Sequence, residues 1–123
     1  MLKNLMDYVD EYTELGKIHG TSTLNGDYKT GNNAVKKMKK IFEIAACSED
    51  KELFYNTIVR NTTDIHTKSL CYADMLRLNI NLKHAVRELE KISNDKSLGI
   101  FSFLAGMFLK EWEKGNIKPV DIN

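Results

Sequence analysis

Apolar residues recur along this chain at intervals of three and four, the period of an amphipathic helix, in six successive stretches. The first covers about residues 2–18, where Leu2, Leu5, Met6, Val9 and Tyr12 form an apolar arc. Asp7, Asp10, Glu11 and Glu14 lie opposite that arc. The second covers 27–47, with Val35, Met38, Ile41, Phe42 and Ala45 inward and Lys36, Lys37, Lys39 and Lys40 outward. A third runs over 49–60, entered through Ser48, a favourable N-cap, with Glu49 and Asp50 where the helix dipole favours negative charge. The fourth, 64–78, is capped by Thr62 or Thr63. It is apolar on two sides: Ile65, Ser69, Tyr72, Ala73 and Leu76 on one, Cys71, Met75 and Leu78 on the other. The fifth, 82–93, carries the inward stripe Leu82, Ala85, Val86, Leu89 and Ile92 after an Asn81 cap.

The last stretch, 98–115, reads LGIFSFLAGMFLKEWEKG. Leu98, Phe101, Leu104, Ala105 and Phe108 fall on one face, Ile100, Phe103 and Met107 on another, and Trp112 continues the first. A helix apolar all round is a buried one, so both faces are expected to be covered and Trp112 to be largely buried. Gly115 is a natural residue to follow the helix end. Pro119 is the sole proline and lies beyond this helix. In the last two of three successive pairs, a more amphipathic helix precedes a more fully apolar one. That alternation predicts an all-α fold of six helices in three stacked hairpins. It would form one domain over 1–115, with a tail at 116–123.

Length and charge narrow the function classes. A chain of 123 residues is long enough to bury a core as one domain. The apolar run of the last helix, broken by Gly99, Ser102 and Gly106, is short of the ~20 residues a membrane span needs. The acidic N-terminal stretch lacks the apolar core of a secretory signal, so a cytoplasmic protein is expected. Eighteen basic and seventeen acidic side chains leave +1, far from the basic excess of a nucleic-acid binder. Cys47 and Cys71 read as reduced thiols packed as small hydrophobes.

Candidate chemistry is sparse. The segment 19–33, HGTSTLNGDYKTGNN, has three glycines among polar residues. No strand precedes it, and its spacing does not match a phosphate-binding loop; it reads as a polar connection whose side chains cap the second helix. His19, His66 and His84 sit on different elements without paired ligand spacing, so no metal site is expected, and His66 reads as a surface or capping group. No activated nucleophile is recognisable, and neither a catalytic residue nor a cofactor is assigned. The lysines of the second helix could contact phosphates, but no aromatic residues interleave with them as a stacking platform would require.

Three segments carry a resemblance. GDYKTGNNAVKKM (26–38) is similar to the Gly-Asp-x-Lys…Asn opening of the second helix in a family of small bacterial HEAT-like proteins of unassigned function. TKSLCYADMLRL (67–78) stands where that family has a Val-Arg-x-x-Ala-Ala helix, with Thr67-Lys68 in place of Val-Arg. LAGMFLKEWEKG (104–115) resembles its Ala-x-x-x-Leu-x-x-Trp closing helix. The resemblance implies an α-α superhelix without established catalytic residues, and members of this kind occur among immunity proteins encoded beside secreted bacterial toxins. The expected function is therefore non-enzymatic: binding a toxin domain by occlusion. The alternative is a HEAT-like nucleic-acid binder using Lys36, Lys37, Lys39 and Lys40. Two surfaces are candidates for the partner: the acidic stripe Asp7, Asp10, Glu11 and Glu14, and the polar cluster Asp27, Tyr28, Lys29 and Asn32.

Overall fold

The computed structural model describes residues 3–117. A 3₁₀ turn at Leu5–Tyr8 leads into α1 (Val9–Asn25), then α2 (Tyr28–Ala46), α3 (Lys51–Asn61), α4 (Ile65–Arg77) and α5 (Leu82–Asn94). A second 3₁₀ turn at Lys96–Leu98 precedes α6 (Ile100–Glu113). The fold is all-α, and no strand occurs among the described residues. Leu2 and the predicted tail beyond residue 117 lie outside them. The chain divides into two compact units, Met1–Lys68 and Ser69–Asn123.

In the first unit, α1 and α2 pair as a hairpin and α3 packs on both. Only Gly26 and Asp27 separate α1 from α2. Gly26 adopts φ 71°, the left-handed conformation that closes a helix and that glycine takes without a Cβ penalty. Asp27 then caps α2, its carboxylate accepting from the Thr30 N–H at 3.2 Å. The core is aromatic. Tyr12 meets Phe54 and Tyr55 edge-on, with centroids 5.8 Å away in each case, and Phe54 meets Tyr55 at 5.0 Å. All three rings are fully buried, in the perpendicular arrangement that places a ring's positive edge on its neighbour's face.

The start of α4 also belongs to this unit, and two glycines bring it close to α1. A Cβ at Gly16 would overlap Thr67 Oγ1 and stand 3.0 Å from Thr67 Cβ; one at Gly20 would lie 3.2 Å from His66 Cδ2. The i, i+4 spacing of these glycines puts both on one face of α1. Thr67 is locked in place, its N–H and hydroxyl donating to the Asp64 carboxylate at 2.9 and 2.6 Å.

In the second unit, α5 and α6 form another hairpin. Small residues make their contact: the Ser102 hydroxyl donates to the Ser93 carbonyl at 2.7 Å, and a Cβ at Gly106 would meet Ser93 Cβ at 3.6 Å. In α4, both predicted faces are covered, with Tyr72, Leu76, Cys71, Met75 and Leu78 all buried.

Several expectations need correction. The segment 19–33 is not a connection: apart from the two turn residues it is helical. Ser22 and Thr23 donate to the carbonyls of Ile18 and His19 at 2.7 and 2.9 Å, which satisfies their hydroxyls inside α1. The second face of α6 is not covered, since Ile100, Phe103 and Met107 are exposed, Phe103 to 60 %. Packing through Ser102, Ala105 and Leu109 engages one stripe of α6 and leaves the opposite stripe in solvent. Trp112, in the last turn of α6 and in line with Ala105 on the packed stripe, is half-buried rather than largely buried. Val35 faces outward, because the buried arc of α2 is Gly31, Ala34, Met38, Ile41 and Ala45. Leu82, the first residue of the predicted α5 stripe, is likewise exposed. Cys47 is exposed as well.

Candidate interaction surface

Asp27, Tyr28, Lys29 and Asn32 are all exposed, and α2 places the last three on its own first turns. At 100° per residue, Tyr28, Asn32, Val35 and Lys39 fall in one line along the helix, with Lys36 and Glu43 beside it. Tyr28 and Asn32 of the polar cluster thus share a face with Lys39 and Lys36, while Lys40 and Lys37 turn away from it by about 120° and 180°. Tyr28 is 82 % exposed and Val35 46 %. Lys36, Lys37, Lys39 and Lys40 are exposed, and none pairs with a carboxylate among the described residues. Hydrogen bonds from Thr30 hold the Asp27 carboxyl below the usual carboxylate range, so the cap stays charged. Leu24, near the end of α1, is exposed too and adds an apolar group beside the turn that precedes Tyr28.

The acidic stripe is less uniform. Asp7 lies in the 3₁₀ turn, its carboxylate accepting from the Asn4 N–H at 3.1 Å. Asp10 and Glu14 stand one turn apart on α1, and Lys17 continues their line. Glu11 is exposed some 100° away from Asp10. Glu14 and Asp27 line opposite ends of a shallow hollow of about 260 Å³ between α1 and α2, with Lys17, Thr21, Asn25 and Thr30 between them. A larger open groove, about 920 Å³, runs between the N-terminal 3₁₀ turn and the end of α2 past Lys3, Lys40, Glu43, Ile44 and Cys47.

The histidines depart most from expectation. His66 is 4 % exposed and neither a surface nor a capping group. Its Nε2 lies 2.7 Å from His19 Nδ1, with the rings stacked at an 11° interplanar angle and centroids 5.0 Å apart. Burial chiefly, and then the neighbouring His19, push the His66 imidazole down to about 4, against a smaller opposing pull from Asp64. Burial also lowers His19. The 47 residues between them hide this pair from any local motif. The one legible signal is the Gly16-x-x-x-Gly20 spacing, which marks a face of α1 that something approaches closely.

His84 stands apart, edge-on to Tyr72 with centroids 5.9 Å apart. Among the described residues no group of three or more His, Cys, Asp or Glu side chains could hold a metal ion, and no helix is long and apolar enough to cross a membrane. Comparison with family models, curated proteins and solved structures gives no match to this chain.

Proposed function

We propose that this chain is a non-enzymatic protein-binding module, and within that class a cytoplasmic immunity protein that neutralises a cognate bacterial toxin domain by covering it. The observation that carries the binding reading is the outer face of α2. An aromatic ring 82 % in solvent, followed one and two turns later by Asn32 and the half-exposed Val35, shares its face with Lys39 and Lys36, which pair with no carboxylate among the described residues. Interfaces concentrate their energy in such aromatic anchors with a charged rim. From Tyr28 to Glu43 the face is ~22 Å long, suited to an interface of ordinary size, ~1,600 Å² in total. The immunity reading is supported by the sequence resemblance alone. In this reading Asp10, Glu11 and Glu14 on α1 form a second, oppositely charged rim.

The test is co-expression with the toxin domain encoded by the neighbouring gene. Protection of the cell and a stoichiometric complex are expected. Tyr28→Ala should weaken the complex by ~30-fold or more, the scale of an anchor residue. Reversing Lys36 and Lys39 to Glu should slow association, because rim charge acts mainly on encounter. Loss of binding only on reversing Asp10, Glu11 and Glu14 to Lys would move the interface to α1. Absence of both protection and complex would end the immunity reading.

A second reading, nucleic-acid binding through α2, is favoured by the four unpaired lysines alone. It requires the affinity for a 20-mer oligonucleotide to fall steeply with salt, with a logarithmic slope of ~0.9 per phosphate contacted. A flat titration at low salt dismisses it.

A further inference from the structure

Neutral imidazole carries one N–H donor and one bare acceptor nitrogen. The 2.7 Å contact between His19 Nδ1 and His66 Nε2 therefore needs one of these two nitrogens protonated and the other bare. The pair accommodates a first extra proton on an outward nitrogen, since a cationic ring still donates to a neutral one. A second extra proton has no such place. It puts N–H against N–H and two positive charges within one hydrogen-bond length. His66 has little room to swing away, because it is buried against α1, so close to Gly20 that a Cβ there would lie 3.2 Å from its Cδ2. It also has almost no access to water. We propose that the His19–His66 pair is an acid-sensitive latch, holding the first turn of α4 on α1 while the two rings share a proton and releasing it when both are charged.

Among the described residues, two ionisable groups bear on the charge of His66. From α1 it is His19, whose charge opposes protonation. From the entry to α4 it is Asp64, which favours it. Asp64 is already engaged by the Thr67 N–H and hydroxyl, so it cannot turn to neutralise the pair without breaking the cap that starts α4. The latch and the helix cap thus compete for the same carboxylate.

Amide hydrogen exchange followed by NMR between pH 7.5 and 5.0 tests this. The reporters are the Thr67 and Lys68 amides, which bond to the Asp64 side chain and carbonyl, and Met38 and Ile41 in α2 are the reference. Once corrected for intrinsic exchange chemistry, the opening constant at 67–68 should rise ~10-fold per pH unit below the ordinary histidine value of about 6.5, and ~30-fold by pH 5. His66→Gln, which keeps a side chain able to bond His19 but cannot charge, should flatten that dependence. Equal acid responses in the two proteins would overturn the proposal. Opening free energies at 67–68 that equal those of Met38 and Ile41 at every pH would do so too, since the amides would then exchange through unfolding of the whole unit rather than through a latch. If the variant does not fold, the imidazole ¹⁵N shifts of the native protein decide: His66 titrating near 6.5 while folded defeats the latch, and His66 still neutral at pH 5 supports it.

Discussion

Gly16→Ala adds a single methyl group where α1 meets Thr67. The new carbon would overlap Thr67 Oγ1 and stand 3.0 Å from both Cβ and Cγ2. Rotating Thr67 gives little escape: one rotamer brings its methyl into the place the hydroxyl leaves, and the other moves the hydroxyl to the methyl's position, 3.0 Å from the new carbon and away from Asp64. Either the helices part or Thr67 gives up its 2.6 Å bond to Asp64. Overpacking of this kind costs ~1–3 kcal/mol, and a hydrogen bond to a charged group contributes ~1.5–3. Replacing a mid-helix glycine by alanine returns ~1 kcal/mol. The net expectation is a loss of up to about 2 kcal/mol, or a melting temperature lower by up to roughly 8 °C for a chain of this size.

Urea unfolding followed by circular dichroism at 222 nm measures it. Gly106→Ala is the control: its Cβ would meet Ser93 Cβ at an ordinary 3.6 Å, so helix propensity should prevail and stability rise by up to ~1 kcal/mol. In a double-mutant cycle, Thr67→Ala should relieve Gly16→Ala by at least ~1 kcal/mol, since contacting residues couple. If Gly16→Ala behaves like Gly106→Ala, α1 and α4 do not meet through that notch, and the placement of His66 on α1 falls with it.

Phe54→Ala, which empties the centre of the Tyr12–Phe54–Tyr55 cluster, should cost ~3–5 kcal/mol by the same unfolding assay. Between pH 7.5 and 5 the native protein should lose about 2 kcal/mol of stability: the folded His66 sits below its unfolded value, so its contribution is complete above about 6.5 and declines as pH falls toward about 4. A flat urea midpoint over that range would show that His66 does not resist protonation. Trp112, being half-buried, should emit between the fully buried and solvent-exposed limits, and Trp112→Ala should cost less than the ~3–5 kcal/mol of a core aromatic. Emission at the solvent limit refutes its packing.

Wherever large apolar residues carry the helical period, as in α2, α4 and α5, the element and most of its buried stripe were legible from the chain. The C-terminal half of α1 was not, because its inward positions are Gly16, Gly20 and Ser22, residues that pack by being small. A hydropathy pattern registers close approach of this kind as an absence of signal. The second face of α6 shows the converse: Ile100, Phe103 and Met107 are apolar enough to read as core, yet burial depends on a neighbour that the pattern cannot supply. The acidic and lysine-bearing faces were foreseeable as exposed. The alignment of Tyr28 and Asn32 with Lys36 and Lys39 follows from the helix that the pattern places over 27–47, but reading 19–33 as a connection kept the two clusters apart.

The two cysteines differ in a way that matters to anyone handling the protein. Cys71 has no accessible surface, whereas Cys47, where α2 ends, stands in solvent beside Lys40 and Ile44. A maleimide dye or spin label should therefore attach at a single address in the native fold, with no engineering, and report from the open groove at the far end of the α2 face from Tyr28. The same asymmetry sets a storage condition. Without a reductant, two chains can join through Cys47 while their interiors stay intact, so a covalent dimer on a non-reducing gel would reflect this thiol and not an assembly of the native protein.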